Sequence, residues 1–176
     1  MDLTLDVTHE PVDMLKRAVS LLTGKSCWSA IGSGAAGSNV LLEFGRRIPL
    51  KRPAANRQLS PLQRSYEGEL SLFIECAWRL EGHDQILTSS GDDDRPNGPI
   101  AMALRDITGQ SVISAVVAAA IPDLYISLTG DFVIRLFCDQ GNLDQAWNNY
   151  SLRIGDTFVV VGPRGRVMVE RRESQA

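Results

Sequence analysis

An α+β fold built mainly from antiparallel strands is what this 176-residue sequence predicts, and three observations predict it. The first is the stretch 69–80, ELSLFIECAWRL. Its even positions, Leu70, Leu72, Ile74, Cys76, Trp78 and Leu80, form an unbroken apolar row at the strand period of two. The odd row, Glu69, Ser71, Phe73, Glu75, Ala77 and Arg79, is mostly polar, as in a strand with one face on a core and the other half wet. The second is the succession of apolar, strand-like segments after Gln110, punctuated by Thr129–Gly130–Asp131, Gly155–Asp156 and Pro163–Arg164–Gly165. The third is that only two stretches, about 11–23 and about 99–108, carry helical spacing. The expectation is a single domain over 1–176 in which a bent sheet, a sandwich or a partly closed barrel is covered by two short helices.

The first helix follows from Val12, Leu15, Val19 and Leu22, which make one apolar stripe, with Pro11 suited to a first turn, Gly24 to a stop, and Thr8 or Asp6 near the start. Residues 32–37, GSGAAG, match the glycine pattern of dinucleotide-binding turns. The following SNVLLEFG alternates like a strand and ends at Gly45, too soon for a crossover helix, so a connection between two antiparallel strands explains the glycines. Residues 46–64 hold Arg46, Arg47, Lys51, Arg52, Arg57 and Arg64 without an acid, broken by Pro49, Pro53 and Pro61. Proline removes backbone donors, so this basic stretch reads as a surface excursion or edge segment. A hairpin turn at Glu81–Asp84 leads into Gln85–Ser89. Asp92, Asp93 and Asp94 are contiguous, unlike the alternating acids of a calcium loop, and read as a solvated turn. Asn97 and Pro99 open the second helix, whose Ile100, Ala103, Leu104 and Ile107 face a core before Gly109 stops it. Residues 110–170 are strand-rich, and 171–176 read as a frayed tail. No clean internal repeat stands out, although each half reads as a helix followed by several strands.

Composition excludes several classes of function. A net charge of −3 supplies no global field for nucleic acid or an anionic membrane. No apolar run approaches the ~18 residues of a membrane span, and the acidic start lacks the basic and apolar regions of a secretory signal. Three cysteines, each in a strand-like apolar run, suit a reducing cytoplasm. His9 and His83 belong to no metal-ligating or nucleophile–base spacing, and there is no C-x-x-C or H-E-x-x-H, so neither a metal nor a cofactor is expected and no residue is assigned a catalytic role. The residues to watch as a ligand or interaction surface are Trp28, Glu43, Glu75 and Arg79, with Arg46, Arg47 and Arg52 of the basic stretch.

Several motifs together, CWSAIGSGAAGSNVLLEFG, GELSLFIECAWRLEG, LTSSGDD, LRDITGQSV, DLYISLTGDFVIRLF and the late NYSL, give a chain that resembles a group of small bacterial proteins of uncharacterised function. The residues carrying the resemblance are Trp28, Gly34, Glu43, Phe44, Gly45, Cys76, Trp78, Arg79, Gly109, Gln110 and Asp123. The chain departs from the group at Tyr150, where the pattern has tryptophan, and in its longer glycine turn. The resemblance implies a bacterial cytoplasmic protein and brings no activity with it. The residues lean away from an enzyme. The leading expectation is a non-enzymatic interaction or accessory, immunity-like module with a protein partner, or a homodimer. The alternative is a small-ligand-binding protein or enzyme using a sheet cavity where Trp28, Glu43, Glu75 and Arg79 converge. The third reading is nucleic-acid contact through 46–64, weakened by the lack of interleaved aromatics for base stacking.

Overall fold

The computed structural model describes residues 10–32, 39–118, 120–141 and 147–171. The chain runs α1 (Pro11–Ser20), β1 (Cys27–Ile31), β2 (Val40–Pro49), α2 (Pro61–Ser65), β3 (Tyr66–Ile74), β4 (Ala77–Gly82), β5 (Gln85–Ser89) and α3 (Pro99–Ile107), then β6 (Val112–Val117), β7 (Leu124–Leu128), β8 (Phe132–Phe137), β9 (Tyr150–Ile154), β10 (Thr157–Val161) and β11 (Val167–Arg171). The strands make a six-stranded sheet of order β1-β2-β3-β9-β10-β11 and a five-stranded sheet of order β5-β4-β8-β7-β6, paired antiparallel throughout. Val40, Leu42 and Ile74 of the larger sheet meet Trp78, Leu80 and Ile134 of the smaller one, with Leu104 and Ile107 of α3 between them. This is a two-sheet α+β architecture rather than a closed barrel. α1 packs against β6 on one side and β9, β10 and β11 on the other, while α3 spans β1 and β5. Each helix thereby plugs one open side of the sandwich.

Glu69–Leu80 is not one strand. It breaks at Glu75–Cys76, so that β3 belongs to one sheet and β4 to the other. The apolar row nevertheless stays on the core through the corner: Leu70, Leu72, Ile74, Cys76, Trp78 and Leu80 are all buried. Strands that pass between packed sheets turn at such corners. Here Asn149 makes the corner: its carbonyl accepts the amides of both Glu75 and Cys76, each at 2.9 Å. No glycine or proline marks the bend, and alternation survives it, so sequence periodicity could not register the change of sheet.

The other elements depart from expectation in smaller ways. α1 ends at Ser20 and continues as turn to Gly24; its buried face is Met14, Leu15, Ala18, Val19 and Leu22, while Val12 is exposed. Of the 46–64 stretch, Arg46–Pro49 still belongs to β2 and Pro61–Ser65 forms α2, a third helix that the proline spacing concealed. α2 is started by a capping box in which the Ser60 hydroxyl accepts the Gln63 amide and the Gln63 side chain accepts the Ser60 amide. Asn97 does not cap α3: Gly98 stands at the cap position, and the Asn97 side chain instead accepts from Arg105 at 2.5 Å. The β4–β5 turn places His83 and Asp84 at positive φ, as two-residue hairpins require. Residues 33–38, with most of the GSGAAG string, lie outside the described residues, as do Asp6, Thr8 and His9 and the tail 172–176. The antiparallel pairing expected of β1 with β2 is present.

The helix-then-strands resemblance of the two halves is a structural duplication. α1, β1, β2 and β3, followed by β4 and β5 in the opposite sheet, correspond to α3, β6, β7 and β8, followed by β9 and β10 in the opposite sheet. In sequence, LTGKSCWSAI (22–31) returns as ITGQSVISAV (107–116), with Thr, Gly, Ser, Ser and Ala at the same places. GELSLFIEC (68–76) returns as GDFVIRLFC (130–138). The halves meet at Ser26 and Ser111, which form an isolated bridge with their hydroxyls 2.8 Å apart. Around that point the backbone bonds are reciprocal. Gly24 N donates to Val112 O and Gly109 N to Cys27 O; Cys27 N donates to Gln110 O and Val112 N to Lys25 O. Gly24 and Gly109 both take positive φ, at 79° and 95°, the left-handed turn that glycine makes without steric cost. β1 and β6 even carry the same bulge, at Cys27/Ser29 and Val112/Ser114.

Candidate functional site

The duplication offers an internal comparison, because each sheet's outer face has a counterpart on the other. On the six-stranded sheet one cross-strand row is Ser29, Glu43, Ser71, Arg153, Phe158 and Glu170. Its first four members are buried although all are polar. The β2–β3 connection reaches this row at its β1 end and roofs Ser29: Gln63 Nε2 donates to Ser29 Oγ at 3.1 Å, and within the connection Ala54 N donates to Arg64 O at 2.8 Å. Further along the row Glu43 Oε2 accepts from Ser71 Oγ at 2.5 Å and from Gly68 N at 2.7 Å. Arg153 donates to Ser71 Oγ at 2.6 Å, to Gly68 O at 2.9 Å and to Gly155 O at 3.3 Å, and pairs with Glu67 at 3.3 Å. Gly68 is required here: a Cβ would stand 2.7 Å from Glu43 Oε2 and 2.8 Å from Phe44 N. The buried groups of this cluster are hydrogen-bonded to one another, as buried polar groups must be.

Burial pushes the Glu43 carboxyl above its ordinary value, against the pull of Ser71, Gly68 and Arg153. A carboxyl raised in the folded state holds its proton where the unfolded chain has lost it. It therefore lowers stability as pH rises from the unfolded value towards the folded one. Glu43→Gln keeps an acceptor for Ser71 and Gly68 and removes the titration. Relative to this variant, the wild type is expected to lose stability as pH rises above the ordinary glutamate value of about 4.3, measured as the difference between the two denaturation profiles. Parallel profiles would show that Glu43 is not the group responsible. Glu69 has the opposite sign: its hydrogen bond from Lys25 at 2.9 Å holds its carboxyl down, so its contribution is present above the unfolded value and is lost in acid.

The counterpart row on the five-stranded sheet is Ser114, Ser127, Val133, Glu81 and Ile86. None of these residues is buried. The neighbouring row, Ser89, Arg79, Arg135, Tyr125 and Val116, is equally open. Arg79 and Arg135 lie over the rings of Phe137 and Tyr125, each at 5.3 Å, and share Glu81 at 2.6 and 2.9 Å. Burial raises the Glu81 carboxyl, but the two guanidinium groups outweigh it and hold the group below its ordinary value. Ile86 and Val116 are 60% and 57% exposed. The connections differ as well. β2 and β3 are joined through the roof, whereas β7 and β8 are joined by Thr129–Gly130–Asp131 alone. The connection covers the β1 end of one face, and the other has no such cover within the described residues.

The residues singled out from sequence are thus distributed over the molecule. Glu43 sits in the buried row, and Trp28 lies at the β1 bulge with Arg47 over its ring at 5.3 Å. Glu75 is at the corner between the sheets and Arg79 is on the far face. These four do not converge on one cavity. Arg46 pairs with Glu69 at 3.5 Å, Arg64 donates to Ala54 O at 2.9 Å, and Arg52 is exposed in the roof. Of Ser29, Glu43, Ser71 and Arg153, only Glu43 was singled out from the sequence. Arg153 and Ser71 have ordinary surface spacing, and their partners Glu43, Glu67 and Gly68 come from other strands or lie far along the chain. Asn149, fully buried, donates to Gly162 O and accepts from Gln140 as well as holding the corner. The thiols of Cys27 and Cys76 are pushed up to about 12 by burial, and that of Cys138 is pushed up as well, which removes nucleophilic thiolate at neutral pH. Among the described residues no group of His, Cys, Asp and Glu is arranged to hold a metal ion, and no helix is long and apolar enough to cross a membrane.

No protein-family model, curated protein or solved structure matches the chain. The resemblance to small bacterial proteins rests on the motifs quoted for it.

Proposed function

We propose that the protein is a non-enzymatic interaction module, an accessory or immunity-like protein of the bacterial cytoplasm, and that it works through the outer face of the five-stranded sheet. The observation that carries this reading is the contrast between two duplicated faces, one with its polar row buried and the other open. The bare face has the composition of a contact surface. Exposed aliphatics (Ile86, Val116) border arginines that are stacked on aromatics and held in place by a shared carboxylate. Arginine and aromatics are enriched at interfaces, and pre-positioned side chains lose less entropy on binding.

The test is capture of partners from a lysate of the source organism by three tagged forms: wild type, Ile86→Asp with Val116→Asp, and Arg57→Asp on the roof. Both altered surfaces are exposed, so folding is preserved. The expected result is a partner retained by wild type and Arg57→Asp and reduced at least tenfold with the double variant. Equal capture by all three forms would remove this face from the reading.

A further inference from the structure

The bare face is electrically two-ended. At the turn end, Asp84 and Asp131 border a shallow depression of about 340 Å³ together with Glu81, Ile86 and Val133. Towards the other end stand Arg79 and Arg135, each more than a third exposed. Along β8, Asp131 and Arg135 are four residues apart, roughly 13 Å at about 3.3 Å per residue. An occupant of this face must present acid over Arg79 and Arg135 and base over Asp84 and Asp131. The face itself carries that pattern when turned end for end.

We propose that this face is an isologous self-association surface, on which a second copy of the chain packs with its strands antiparallel. The inference rests on the reading of this face as a docking surface and names its occupant. A twofold axis lying in the interface and perpendicular to the strands brings Arg79 and Arg135 of one protomer over Asp84 and Asp131 of its partner, and the reverse contact follows by symmetry. Val133 and Ile86 supply apolar area between the charged ends, and Tyr125 and Val116 extend it alongside the arginine row. Five strands at about 4.8 Å and five residues at about 3.3 Å give a face of about 24 by 17 Å. That size suits a reversible dimer rather than an obligate one. Because oppositely charged ends meet at the rim, association weakens with salt.

The test uses sedimentation velocity on the full chain from 1 to 200 µM, at low and high salt, with two charge-reversed variants. One is Arg79→Glu with Arg135→Glu, which makes both ends acidic; the other is Asp84→Lys with Asp131→Lys, which makes both ends basic. Thermal melts check that each is folded. Wild type is expected to dimerise with an affinity that falls at least fivefold in high salt. Each variant alone is expected to lose at least tenfold in association, and an equimolar mixture of the two to recover a heterodimer. A purely structural role for these residues would not produce that recovery. A wild type that stays monomeric throughout, or variants that dimerise unchanged, would overturn the proposal. Either result would leave the docking reading to the capture experiment, where a different protein would be the occupant.

Discussion

Arg153→Ala is expected to destabilise the fold by about 3–5 kcal/mol, the range for removing one partner from a buried charged cluster. In a chain of this length that is a fall of about 6–20 °C in melting temperature. The side chain makes four polar contacts, to Gly68 O, Ser71 Oγ, Gly155 O and Glu67. It is also the cation whose field draws down the Glu43 carboxyl. With Arg153 gone, two carbonyl acceptors lose their donor and the Glu43 charge is left in a desolvated site, so Glu43 rises further. The destabilisation should accordingly be smaller at pH 5 than at pH 8, because protonation of Glu43 relieves the uncompensated charge. Denaturant melts at the two pH values read both effects. A loss below about 1 kcal/mol, the ceiling for an exposed ion pair, would show that this cluster is open to solvent.

Trp78→Ala should cost a similar amount, about 3–5 kcal/mol, through a different mechanism. Trp78 is 3% exposed and stands where both sheets and α3 meet, beside Ile74, Leu80, Leu104, Ile107 and Ile134. Truncation leaves a cavity that four separate elements would have to move to fill. Urea melts should give a lower midpoint with little change in slope, whereas Trp147→Ala, at a residue 59% exposed, should change stability by less than about 0.5 kcal/mol. Comparable losses from the two substitutions would contradict the placement of Trp78 in the shared core. Tyr150 occupies the corresponding place in the second half, paired with Ile74 as Trp78 is with Leu136. An aromatic residue at each is a consequence of the same packing problem solved twice.

Much of the architecture was legible because burial here follows strand alternation closely. Leu124, Ile126 and Leu128, and Phe132, Ile134 and Leu136, are buried as their spacing demands, and the turn between them is the glycine turn expected. The helix 99–107 was legible for the same reason. The candidate site was far less so. Glu43 could be flagged as an acid on a polar strand face, but its partners Gly68 and Ser71 lie 25 and 28 residues away, and Arg153 reaches those two across 85 and 82 residues. No periodicity links such positions. The duplication was visible only as an outline, since the two halves share few identities and the 46–64 insertion displaces their second segments. Register and the reciprocal bonds around Ser26 and Ser111 align them.

By itself, the sequence determined most of the apolar core and the course of most strands. Those are properties of local pattern, carried by the hydrophobic effect acting on alternate side chains. Only the tertiary structure decided that Glu69–Leu80 serves two sheets, that the polar row Ser29, Glu43, Ser71 and Arg153 is buried, and that its duplicate row stays open. Those outcomes depend on which backbone groups meet across long sequence separations, as Asn149 meets Glu75 and Cys76, and local pattern holds no record of such meetings.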